Sequence, residues 1–153
     1  MKSLPEDMCA ELAAWNSGKG IELETWVACM GSFKLAVGYS TIFWPRFVLF
    51  EGYILRDAFN IESLRRCEEQ CKGDRRSVER VMNHLHIADI QHAECEDISA
   101  DRLRFIGSVL REIYQCKLQW QFPDRPCEVQ FHEPENQDDL LGYELSFWQK
   151  VHS

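Results

Sequence analysis

The clearest helical periodicity in the chain runs from Ser99 to about Trp120, and it constrains the fold more than any other feature. Leu103, Ile106, Leu110, Ile113, Tyr114 and the stem of Lys117 fall on one face at helical spacing. Such a stripe has to be buried against another layer. Two short downstream segments offer that layer. Glu128-Val129-Gln130-Phe131-His132 alternates as a strand, with Val129 and Phe131 to one side, and Tyr143-Glu144-Leu145-Ser146-Phe147-Trp148 completes a hairpin across the polar stretch from Glu133 to Gly142. Phe47-Val48-Leu49-Phe50 through Ile54-Leu55 is a third strand segment, rich in aromatic and branched residues. The expected fold is α+β: a mainly helical single globular domain over 1–153. Its small antiparallel sheet draws on strands near 47–55, 128–132 and 143–148.

The remaining elements follow from local signals. Ser3 is a plausible cap for a first helix carrying Met8, Leu12 and Trp15, with Glu6 and Asp7 in its first turn; Asn16-Ser17-Gly18-Lys19-Gly20 stops it. A second helix starts near Ile21, puts Leu23, Trp26, Val27 and Met30 on one face, and ends at Gly31. Residues 32–44 fit either period, and Pro45 favours a helix that ends there. The apolar tract from Phe33 to Phe59 is interrupted by Lys34, Pro45, Arg46, Glu51 and Arg56. Its longest uncharged run, Leu35 to Pro45, is too short for a membrane span, and the tract reads as core. Asn60 caps a helix running to about Lys72, Gly73-Asp74 breaks it, and Ser77 starts another through Gln91.

Charge narrows the partners. The 153 residues carry a formal charge of −8, and between Asp124 and Glu144 acidic residues far outnumber the single Arg125. That balance argues against nonspecific nucleic-acid or anionic-membrane binding and suits a basic protein partner. The amino terminus shows no apolar signal segment. Seven cysteines without regular spacing are expected to be reduced thiols of a cytoplasmic protein. Cys67 and Cys71 stand four apart rather than in a Cys-x-x-Cys motif and read as structural.

The densest chemistry lies in Asn83-His84-Leu85-His86-Ile87-Ala88-Asp89-Ile90-Gln91-His92, which holds three of the five histidines. Imidazoles beside a carboxylate suit a metal site or an acid–base site. On a regular helix His84 and His86 point apart, and the best constellation is Glu79, Asn83, His86 and Asp89. If the segment is extended, His84 and His86 point the same way and can both be ligands. The catalytic candidates are therefore Glu79, His86 and Asp89, and the metal candidates His84, His86, Asp89 and His92. The competing reading makes Asn83 and His86 buried polar residues that fix how the helix packs. No cofactor is required by any motif; a divalent metal such as zinc is the alternative.

Phe43-Trp44-Pro45 before an aromatic strand, Asn83-His84-Leu85-His86, Phe122-Pro123-Asp124-Arg125 and Tyr143-Glu144-Leu145-Ser146-Phe147-Trp148-Gln149 resemble a family of uncharacterised bacterial proteins, from about Trp15 to Gln149. The resemblance implies a bacterial cytosolic origin and brings no activity or catalytic residues. Two functions are expected from different classes. One is a small acidic interaction module, an adaptor or an immunity-type inhibitor of a basic partner, and five tryptophans would serve its surface or a homo-oligomer interface. The other is a metal-dependent or acid–base enzyme centred on residues 79–92.

Overall fold

A computed structural model describes residues 2–152, and the chain divides into two units with a boundary after Ile42. The amino-terminal unit is helical. Helix α1 (Glu6–Gly18) has Pro5 rather than Ser3 at its cap position, and its last turn is broken, with Asn16 and Ser17 in the left-handed region at φ 54° and 56°. Asparagine tolerates that region, and Gly18 and Gly20 follow it at positive φ. Helix α2 (Leu23–Met30) is tied back to α1 by the Trp26 indole, whose Nε1 donates to Glu11 Oε1 at 2.8 Å. Helix α3 (Phe33–Phe43) ends just before Pro45, and its Ser32 Oγ accepts from Leu35 N.

None of these three helices contains a buried residue. The apolar face expected of α2 leaves Val27 and Met30 exposed, and Phe33 is 93% exposed on α3. The first half of the tract from Phe33 to Phe59 is therefore surface, not core. The cause is spacing: Leu35, Tyr39 and Ile42 share one side of the helix, while Phe33 and Val37 fall on the opposite side and are 93% and 70% exposed.

The second unit carries the core. Strands β1 (Phe47–Phe50) and β2 (Tyr53–Arg56) form an antiparallel hairpin whose turn residues, Glu51 and Gly52, sit at φ 49° and 86°. Positive φ at both positions gives a turn whose twist matches the strands. Helix α4 (Ile61–Gln70) is capped by Asn60 Oδ1, which accepts from Ser63 N. Helix α5 (Arg75–Met82) follows Asp74 rather than starting at Ser77. Then come strand β3 (Leu85–His86), a 3-10 turn at Ile87–Ile90, and helix α6 (Ala100–Gln121). Ser99 Oγ caps α6 by accepting from Arg102 N. Strands β4 (Cys127–His132) and β5 (Glu144–Gln149) complete a three-stranded antiparallel sheet in the order β3-β5-β4.

Helix α6 buries Leu103, Leu110, Tyr114 and Lys117 of the expected stripe, leaves Ile106 and Ile113 half-buried, and adds Gly107 and Leu118. Its partners are β4, β5 and the hairpin. Phe47 packs edge-on against Phe147 at 5.0 Å and Tyr114 at 5.4 Å between ring centroids, an arrangement aromatic rings favour. Lys117 sends its ammonium to Pro45 O between the Trp44 and Phe47 rings. Gly107 lies flat against Phe131: an added Cβ would meet that ring at 2.2 Å. Gly107→Ala is therefore expected to lower stability by about 1–3 kcal/mol through overpacking, read as a lower urea midpoint at unchanged slope.

The three strand segments do not share one sheet. β1 and β2 stand apart from β3-β5-β4, and side chains of α5 bridge them. Glu79 Oε1 accepts from Ile54 N at 2.7 Å on β2, while its Oε2 accepts from Gln149 N at 2.6 Å on β5. Asn83 Nδ2 donates to Ile54 O and to Phe147 O, and its Oδ1 accepts from Arg56 N. Because β3 is only two residues long, it covers only the start of β5, at Glu144 and Leu145. Glu79 and Asn83, one helical turn apart, satisfy backbone groups farther along that strand. The polar joint is built from residues that sequence alone placed on a candidate catalytic face.

Candidate functional site

The histidine tract is not one helix. Helix α5 ends at Met82, and Asn83 commits its side chain to the two sheets. The chain then extends, pairing Leu85 with Leu145 and His86 with Glu144. Extended backbone sends residues two apart to the same side. His84 and His86 accordingly meet, with Nε2 atoms 3.2 Å apart and rings crossed at 78°.

Glu144 joins them. It is the cross-strand partner of His86, and its Oε1 lies 3.5 Å from His84 Nε2 and 3.6 Å from His86 Nδ1. One ligand atom from each of His84, His86 and Glu144 lies within 4.8 Å of the others, and no other such group occurs among the described residues. The side chains are 35%, 36% and 32% exposed, open enough to exchange an ion with solvent. Across β5, His132 pairs with the same Glu144, so the carboxylate stands between two histidine strands. Arg80, Gln130, His132 and Ser146 line a half-open polar recess beside His84 and Glu144.

Hydrogen bonding fixes the tautomer of His86. Its Nδ1 lies 2.7 Å from Leu141 O, and a carbonyl can only accept, so Nδ1 carries the proton. A neutral His86 then presents an Nε2 lone pair towards His84. Ligating histidines are commonly oriented by such an outer carbonyl.

The other candidates lie elsewhere. Glu79 is fully buried between the sheets and also meets His152 Nε2 at 2.9 Å. Asp89 sits exposed in the 3-10 turn, and exposed His92 accepts Glu94 N on its Nδ1. Neither joins His84 and His86. The helical constellation of Glu79, Asn83, His86 and Asp89 does not form, because the helix stops before Asn83. Glu144, His132 and Arg80 were missed by sequence reasoning. The hairpin of residues 128–148 held a signal for two of them, since pairing its strands brings His132 opposite Glu144.

The thiols are chemically quiet in the core. Burial, with the Glu79 charge adding to it, pushes the Cys127 thiol up to about 12, and burial with the Cys71 hydrogen bond pushes Cys67 up to about 11. Cys9, Cys29 and Cys116 are exposed. Iodoacetamide near neutral pH is expected to label those three first and to reach Cys67 and Cys127 only on unfolding, as read by peptide mass spectrometry. Equal labelling of Cys127 and Cys116 in the folded protein would contradict this.

No family model, curated protein or solved structure matches this chain. Among the described residues no helix is long and apolar enough to cross a membrane.

Proposed function

We propose that this is a metal-dependent protein whose centre is a zinc-class divalent ion held by His84 Nε2, His86 Nε2 and Glu144. The observation that carries the reading is the 3.2 Å separation of the two Nε2 atoms. Two imidazole nitrogens on a tetrahedral ion, each at about 2.0–2.1 Å, stand about 3.3–3.4 Å apart. That separation is also the length of the hydrogen bond His84 Nε2 donates to His86 Nε2, so an ion would replace the bridging proton at nearly unchanged spacing, and the Leu141 carbonyl already selects the ligating tautomer of His86. Glu144, whose Oε1 lies 3.5 Å from His84 Nε2, offers the third ligand. Two histidines and one carboxylate leave a fourth position open, the pattern of catalytic rather than structural zinc. A bound ion would there acidify a water or polarise a substrate oxygen. Reducing, cytoplasmic surroundings suit the seven thiols of this chain.

The test is metal content. Purified protein titrated with zinc and freed of excess is expected to retain one ion per chain by elemental analysis. Retention well below one, unchanged by His86→Ala, would overturn the reading.

A second reading is favoured by a separate observation. The helices of the amino-terminal unit expose Val27, Met30, Phe33, Leu35 and Val37, and the chain carries −8. Apolar side chains on an acidic protein support an interaction module for a basic partner, an adaptor or an immunity-type inhibitor. Capture of a basic protein at low salt that weakens as salt rises supports it, and recovery of no basic protein from the native host counts against it. Light scattering would distinguish a homo-oligomer using the same surface.

A further inference from the structure

The recess beside the histidine pair gathers one guanidinium, two imidazoles and an amide around a single carboxylate, in a chain that is acidic overall. The chain is acidic at −8, yet Arg80, His84 and His132 face a single carboxylate, Glu144, across this recess. Arg80 is exposed at the end of α5. Its guanidinium lies 5.4 Å from the Trp148 ring, and among the described residues no carboxylate pairs with it. Arg76 reaches the same ring at 5.3 Å, so two cations border this face, with Glu128 paired across from Trp148. Strand alternation places Glu144, Ser146 and Trp148 on one side of β5, and their β4 partners His132, Gln130 and Glu128 align beside them. Donors therefore approach the recess from two directions: Arg80 from the helix, and Gln130 and His132 from the far strand.

From this arrangement we propose that the recess binds the phosphoryl group of a substrate, with Arg80 as its principal clamp and His132 and Gln130 as flanking donors. A guanidinium offers paired donors that match phosphate oxygens. A tetrahedral anion also presents oxygens towards both the helix and the far strand, whereas a carboxylate presents two in one plane. The inference rests on the metal reading for its second hold, since an ion on His84, His86 and Glu144 would share one phosphate oxygen. Arg80 supplies the first hold without it.

The experiment is calorimetric titration of inorganic phosphate into zinc-loaded and zinc-free protein, with Arg80→Met as the variant. Methionine keeps an apolar stem over Trp148, and circular dichroism confirms that the variant is folded. Zinc-loaded protein is expected to bind phosphate, and Arg80→Met to weaken it about tenfold, the effect of losing a charge-assisted contact. Unchanged phosphate affinity in Arg80→Met overturns the proposal, and so does acetate binding as tightly as phosphate. If zinc is not retained, the metal reading fails separately; phosphate binding to that zinc-free protein with the same tenfold dependence on Arg80 would still support the anion recess.

Discussion

Glu79→Leu is expected to cost about 3–5 kcal/mol of stability, a large share of what a domain commonly has. Glu79 is fully buried, and its carboxylate accepts from Ile54 N, Gln149 N, Gln149 Nε2 and His152 Nε2 at 2.6–2.9 Å. Leucine fills much of the volume but leaves Ile54 N and Gln149 N without acceptors, while Gln149 Nε2 keeps Gly52 O, and each buried orphan costs about 1–3 kcal/mol. Two of the donors belong to different sheets, so the loss falls on the joint between them. Glu79→Gln keeps one acceptor oxygen and turns an amide donor towards groups that already donate, so its cost should lie between wild type and leucine. Urea unfolding of the three proteins measures the series. A leucine variant as stable as wild type would refute the account of Glu79 as the bridge between β2 and β5.

The second large effect concerns the metal. His86→Ala is expected to lower zinc affinity by more than about a hundredfold, beyond the 10–100-fold typical of losing an outer partner of a ligand. Its stability should fall by only about 1–2 kcal/mol, because His86 is part-exposed and gives up two hydrogen bonds, to Leu141 O and to His84 Nε2. Glu144→Gln should weaken zinc while leaving the β5 pairing intact. His92→Ala and Asp89→Asn are the controls, since neither residue belongs to the His84–His86–Glu144 group. Competition against a chromophoric chelator gives the affinities, and thermal unfolding separates them from folding losses. Equal zinc affinity in His86→Ala and His92→Ala would remove the proposed site.

Much of the local architecture was legible in the residues. Helix α6 buries most of the stripe from Leu103 to Lys117, and Ser99 and Asn60 cap their helices through side-chain oxygens. Pro45 stops α3, and the 128–148 hairpin forms with one residue added at the start of its first strand and each boundary of its second moved by one. These features depend on neighbours in sequence: a cap needs an oxygen within three residues, and a stripe needs only its own period. The division of the strands into two sheets was not legible. Nor was the exposure of α3, where apolar composition suggested core and helical geometry divided it between opposite sides.

The histidine tract shows where the boundary falls. Sequence determined that imidazoles would gather between residues 84 and 92, and that His84 and His86 would share a side only if the chain were extended. Which conformation holds was settled far along the chain, by β5. Asn83 leaves the helix because the carbonyls of Ile54 and Phe147 need its amide, and Leu85 and His86 extend because they pair with Leu145 and Glu144. A tract that fits two local conformations is decided by whichever one satisfies buried backbone groups elsewhere, and those groups are brought together only by the tertiary fold.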